Sequence, residues 1–186
     1  THCHADHVHG VDDLRVFSER GGGGVQVYAS QGCAATLRER FRYVFDATLR
    51  PLEGTSKPEG VLHEVRAYEP VEVAGFELLP LPVPHGREEV MGFRAGALGY
   101  ITDGKLLPTR TEEALRGVRV LVLNALWFGR PHPTHFSVEE AIEAAARVGA
   151  ERTYLTHLSH RVSQAELDRR LPPGVFGAYD GLAIDV

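Results

Sequence analysis

The spacing of apolar positions changes period many times along this chain, and each change marks an element. Val11–Arg15 reads as a short helical turn. Val25-Gln26-Val27-Tyr28-Ala29 reads as a strand, and Ser30 or Gln31 opens a helix through Phe45 that is rich in Arg and apolar residues. From Val61 to Val83 the pattern is that of strands, with Ala74-Gly75 turning a hairpin between Glu69–Val73 and Phe76–Val83. Pro80, Pro82 and Pro84 straighten the end of that run and suit an edge position. A further β-rich stretch, Val90–Thr102, ends at Asp103-Gly104. Thr111–Arg116 is a short helix, and Val118–Leu123 is a wholly apolar strand ending at Asn124. Ser137 caps a helix over Val138–Val148, with Glu139 and Glu140 in its first turn and Gly149 after its last. Arg152–Thr156 is a strand, Ser163–Leu171 a helix and Val175–Val186 a closing strand region. Strands alternating with helices make the fold α/β.

The run Gly21-Gly22-Gly23-Gly24 interrupts this pattern. A phosphate-cradling loop needs a strand before it and a helix after it; here a strand follows, so the run reads as a flexible loop. Arg38, Arg40 and Arg42 read as a solvated basic face. With 186 residues and no repeat, the chain is expected to be a single domain over residues 1–186 with a core that needs no staples. A net charge of −5 gives no reason to expect a nucleic-acid or membrane surface, and no stretch approaches the length of a membrane span. Cys3 and Cys33 are the only cysteines, which implies no disulfide framework and fits a reducing, cytoplasmic location.

The chemistry concentrates at one end. Four imidazoles and a carboxylate lie within nine positions of Thr1-His2-Cys3-His4-Ala5-Asp6-His7-Val8-His9-Gly10. In an extended segment His2 and His4 share one side while Cys3 points away, as a packing residue. A strand running into a helix would swing Asp6 and His7 toward the same point. Two close pairs suit two metal ions better than one. A purification tag would be a homopolymer, and this is a patterned mixture.

His2-x-His4-x-Asp6-His7 followed by Gly10 resembles the signature of the metallo-β-lactamase-fold hydrolases. The resemblance implies a four-layer αββα sandwich with a two-metal centre at the edge of its sheets. It also places strands ahead of the motif, so the expectation is that an N-terminal part of the sheet belongs to a longer protein. Three more ligands are implied further along. His85, in Pro84-His85-Gly86, stands at a strand exit and would complete site one with His2 and His4. Asp103 resembles the carboxylate shared by both ions. His157, directly after a strand in Leu155-Thr156-His157-Leu158-Ser159-His160, would complete site two with Asp6 and His7; His160 is the other candidate and would otherwise line the loop. Imidazole and carboxylate ligands suit two divalent ions, Zn²⁺ or Mn²⁺.

Two ions about 3.5–4 Å apart can hold a hydroxide at neutral pH and clamp a phosphoryl oxygen during in-line attack. The fold alone does not choose among lactam, thioester and phosphodiester hydrolysis. His135, in His132-Pro133-Thr134-His135-Phe136-Ser137, resembles the extra histidine of the superfamily's phosphodiesterase branches, the tRNA 3′-processing nucleases and the phosphoribosyl cyclic phosphate phosphodiesterases of phosphonate metabolism. A proton donor of this kind contributes roughly 10²–10⁴ in rate when an alkoxide leaves. His135 and Asp6 are therefore the expected catalytic groups, with His132 the runner-up for the donor role. Asn124 and Asp180 are candidates to support the site, Asp180 equally as part of an Asp-Gly turn. The segments around Asn124, His135 and Tyr179-Asp180-Gly181 resemble the cyclic phosphodiesterase group most. The acidic chain has no basic arm to hold RNA, which favours a small cyclic or nucleotide-type phosphodiester. A homodimer is compatible with this reading, as is the contrasting one of an accessory protein that binds metal without catalysis.

Overall fold

The computed structural model describes residues 1–21 and 23–186, and the chain divides into two units, Thr1–Arg66 and Ala67–Val186. Of the glycine run, Gly21 ends a helix and Gly22 lies outside the described residues. No helix among the described residues is long and apolar enough to cross a membrane.

In the first unit, residues 1–4 have no regular secondary structure and lead into α1 (Ala5–Val8), a 3₁₀ stretch (His9–Asp13) and α2 (Leu14–Gly21). Strand β1 (Val25–Ser30) pairs in parallel with β2 (Gly60–Val65). Between them run α3 (Gln31–Arg40) and α4 (Arg42–Phe45). Ser30 caps α3 by accepting a hydrogen bond from the Cys33 amide at 3.4 Å. The single helix expected through Phe45 is broken at Phe41, whose φ of −120° and ψ of 42° are not helical. Ala29, Ala34 and Leu37 form the small core.

Cys3 and Cys33 are joined as a disulfide. This corrects the expectation of two unpaired thiols, with Cys3 merely packing. The argument for a reducing compartment loses its basis with them, since disulfides persist in oxidising surroundings. Cys3 does leave the side shared by His2 and His4, but it leaves it to reach α3.

The second unit is a seven-stranded sheet in sequential order: β3 (Val71–Val73), β4 (Phe76–His85), β5 (Glu88–Ala95), β6 (Leu98–Ile101), β7 (Val120–Asn124), β8 (Arg152–Thr156) and β9 (Val175–Gly177). Strands β3 to β6 are antiparallel neighbours, and β6 to β9 run parallel. The hairpin turn falls at Ala74 and Gly75, both at positive φ (51° and 86°), as a two-residue turn between twisted strands requires. Beyond β3, the prolines of β4 face an edge. Their carbonyls accept from Tyr68 N (Pro80, 2.8 Å), Thr111 Oγ1 (Pro82, 2.9 Å) and Lys105 N (Pro84, 2.9 Å) rather than from another strand.

Helices α5 (Thr109–Leu115), α6 (Val138–Val148) and α7 (Gln164–Arg170) complete the unit. Ser137 and Glu140 form a reciprocal capping box on α6, and Gly149 ends the helix in the left-handed conformation. Helix α6 buries Val138, Ala141, Ala144, Ala145 and Val148 in a core shared with Leu81, Val83, Ile101, Leu121, Leu123 and Leu155. The closing strand is shorter than its sequence suggested. After Gly177 the Tyr179-Asp180-Gly181 turn intervenes, with Gly181 at φ 86° and Leu182 N donating to Tyr179 O.

The disulfide closes a loop of 30 residues, and the chain-entropy relation gives such a link about 3–4 kcal/mol. Cys33→Ser is expected to lower the urea unfolding free energy by about that amount. Equal loss in the parent protein on adding reductant, with no further loss in the variant, would tie the effect to the bond.

Candidate metal centre

In the first unit the motif bends where residues 1–4 lead into a helix. His4 has extended dihedrals (φ −67°, ψ 154°) as the residue before α1, and Asp6 lies in the first turn of that helix. His2 and His4 bring ring nitrogens to 2.9 Å of one another (Nε2 to Nδ1), and His2 and His7 bring ring centroids to 4.2 Å. Asp6 Oδ2 stands 3.5 Å from His7 Nε2. His2 is 5% exposed, its Nδ1 at 3.1 Å from Thr1 Oγ1. Four side chains expected to hold metal thus lie within seven residues, although residues 1–4, ahead of the helix, form no strand.

In the second unit, Asp103 and His157 follow the C-terminal ends of the parallel strands β6 and β8, the usual place for a site in such a sheet, and His85 ends β4. Asp103 follows β6 and is 2% exposed. Three imidazoles present Nε2 to the same oxygen, Asp103 Oδ2: His135 at 2.9 Å, His157 at 3.5 Å and His85 at 3.7 Å. The His135 ring stacks on His157 (centroids 4.9 Å, planes at 25°) and meets His85 edge-on at 4.5 Å.

The loops that carry these groups are stitched by main chain. Phe136 N donates to Gly104 O, Leu126 N to Phe136 O, Ser159 N to Leu126 O and Ala125 N to Thr156 O. Lys105, two residues from Asp103, reaches Glu140 on α6 at 2.6 Å. His157 has φ 59°, a left-handed conformation that costs a non-glycine residue on the order of 1 kcal/mol or more and collects at functional sites.

Two of these histidines, His85 and His135, are oriented by their other nitrogen. His85 Nδ1–H donates to Thr134 O at 3.0 Å, which leaves Nε2 as the nitrogen with the lone pair. His135 Nδ1 lies 2.8 Å from Thr134 Oγ1 and 3.3 Å from His132 Nδ1. Burial, then the neighbouring His135, Lys105 and His85, hold the His132 imidazole below its ordinary pKa, so it favours the neutral form. Thr134, central to this arrangement, carried no signal in the sequence beyond lying between two histidines.

The other candidates divide. Asn124 is fully buried at the end of β7, and its carboxamide makes no hydrogen bond among the described residues. Asp180, with Tyr179, lines a cavity of about 320 Å³ beside His157. His160 is exposed and stands apart from the cluster, which leaves His157 as the histidine of that segment at Asp103.

These donor types fit a divalent ion. His85 and Asp103 present ligand atoms within 4.8 Å of one another, and a buried carboxylate beside imidazoles, with no thiolate, suits a borderline or hard cation.

A family model described as the beta-lactamase superfamily domain matches residues 1–158. The chain belongs to the metallo-β-lactamase superfamily. Within this superfamily of α/β metallohydrolases it is close to the PhnP group: a crystal structure of a diphosphatase from the PhnP family is 37% identical, with a TM-score of 0.86 over 98% of this chain and 67% of that one. The metallo-β-lactamase fold protein YhfI from Bacillus subtilis, 18% identical with a TM-score of 0.76 over 98% of this chain and 73% of that one, shares the fold. An octanoyltransferase of Porphyromonas gingivalis is 36% identical over 184 residues, which are 98% of this chain and 36% of that protein. The chain therefore spans about a third of that relative's length.

Replacing the buried Asn124 by Leu, of similar volume, removes two polar groups that have no protein partner. Asn124→Leu is expected to keep or raise the urea unfolding free energy; a loss of about 1–3 kcal/mol would show that the carboxamide is satisfied through water.

Proposed function

We propose that the chain is a dinuclear, metal-dependent phosphodiesterase acting on a small cyclic or nucleotide-type phosphodiester. In this reading His2, His4 and His85 hold one divalent ion, Asp6, His7 and His157 the other, and Asp103 is shared. Residues 1–186 then work as a single hydrolase domain. The ions, Zn²⁺ or Mn²⁺, supply an activated water at neutral pH and a clamp on the phosphoryl oxygens. The observation that carries the reading is the convergence of three Nε2 atoms on one buried oxygen of Asp103.

His135 has the surroundings of a proton donor. As an imidazolium it donates from both nitrogens, Nε2 toward Asp103 and Nδ1 toward Thr134 Oγ1 or the neutral His132. Thr134 also fixes His85, so one residue holds both a proposed ligand and the proposed acid. The proton on Nε2 goes to the leaving alkoxide, whose high pKa makes it the atom that gains most from such a donor. Asp6 assists from the motif. Asn124, His132 and Asp180 support or line the site.

A phosphodiester rather than a thioester is supported by His135, a donor that a thiolate leaving group does not need. The kinship with a PhnP-family diphosphatase supports chemistry at phosphorus. The net charge of −5 supports a small substrate over RNA.

Two tests follow. Mass spectrometry of the intact protein should find about two divalent ions per chain, and a chelator should abolish turnover of bis(p-nitrophenyl) phosphate. His135→Ala should lower kcat on the same ester roughly 10²–10⁴-fold with metal content unchanged. Full activity in that variant would remove the donor role, and hydrolysis confined to thioesters or lactams in a substrate panel would overturn the reading.

A further inference from the structure

We propose that a cleft beside the histidine cluster is a nucleotide subsite, in which a planar base lies against Trp127 while a phosphate meets Arg130 and Arg161. The cleft, about 270 Å³, is lined by Trp127, Phe128, Arg130, Arg161, Glu166 and Arg170. In a chain with a net charge of −5, it gathers three guanidiniums against one carboxylate. Arg170 is committed: it pairs with Glu166 at 2.6 Å and lies 3.8 Å from Glu139. Arg130 and Arg161 form no ion pair among the described residues, so two cations face the cleft with charge to spare.

The aromatic part is built as firmly as the charged part. Trp127 Nε1 donates to Arg130 O at 2.8 Å, and Trp127 O accepts from Val138 N at the start of α6, so ring and backbone are both held. The Arg161 guanidinium lies 4.7 Å over the indole, and that of Arg170 lies 3.5 Å over the Phe128 ring. Two aromatic rings, each with a planar cation on its face, offer more than a phosphate uses. Nucleobases stack on aromatic rings and on guanidinium planes alike, at roughly 1–3 kcal/mol per base. A base and a phosphate together use the indole and the two guanidiniums that form no ion pair.

The cleft is wired to the proposed chemistry. The indole edge meets the His132 ring at 5.4 Å and 87°, and His132 lies against His135, centroids 5.2 Å apart. A nucleotide seated here places its remaining substituents two rings from the proposed proton donor. The role of the subsite, holding the nucleoside part of the diester, rests on the phosphodiesterase reading; its existence as a binding site does not.

Trp127 is the sole tryptophan of the chain, so its fluorescence reports on this cleft. The full chain is titrated with AMP, and separately with ribose 5-phosphate and with adenosine, each of which lacks one half of the proposed ligand. AMP should change the emission saturably, and each half should bind at least about tenfold more weakly. Arg161→Ala should weaken AMP about 10–100-fold, the loss of a charge-assisted contact. Arg161→Lys, which keeps the charge and the fold but not the planar fork, should fall between. His135→Ala should bind AMP within about twofold of the parent. No saturable response to AMP, ribose 5-phosphate binding as tightly as AMP, or His135→Ala losing AMP as fully as Arg161→Ala would each overturn the proposal. AMP binding without any turnover of bis(p-nitrophenyl) phosphate would instead sink the phosphodiesterase reading and leave the subsite standing.

Discussion

A carboxylate 2% exposed must be compensated or it destabilises the fold by several kcal/mol. Asp103 is compensated from three directions, and much of the second unit serves that end. The prolines of β4 deliver His85, the cap of α6 fixes the segment that bears His135, and the strained turn after β8 aims His157. The main-chain bonds among these loops hold three imidazoles in place whose mutual crowding is otherwise unfavourable. Such over-determination is what allows a residue such as His157 to persist in a left-handed conformation.

The same arrangement explains why the two units divide their labour. In the first, a short helix follows His4 in extended conformation, and four side chains proposed to bind metal fall close together through local geometry alone. In the second, His85, Asp103, His135 and His157 come from the end of β4, the end of β6, the segment before α6 and the end of β8, and they meet only because the sheet order brings those segments side by side. Local convergence is a matter of spacing; distant convergence is a matter of topology.

That difference governs what could be read beforehand. The Ala74-Gly75 turn, the Ser137 cap and the apolar run of β7 each carry their structure in a few adjacent residues, and each formed as expected. The identity of Asp103 as the hub, and of His157 over His160, required a family resemblance to be proposed. Thr134 was out of reach, because its role is a carbonyl and a hydroxyl aimed at histidines from two different segments. The link between Cys3 and Cys33 was out of reach for a similar reason. Two cysteines in a row of 186 residues give no hint that α3 returns one to the other. The break at Phe41 and the early end of β9 are failures of length, where turn chemistry overrode a continuing apolar pattern.

One consequence of the β4 prolines lies outside the site altogether. Placed at every second position, they turn all their missing N–H groups toward one flank and spend their carbonyls on a tyrosine amide, a threonine hydroxyl and a lysine amide. That flank offers no donor row to an incoming strand from a neighbouring molecule. A border that would otherwise template amyloid-like growth is chemically silent there, and the protection is written into the backbone rather than into surface charge.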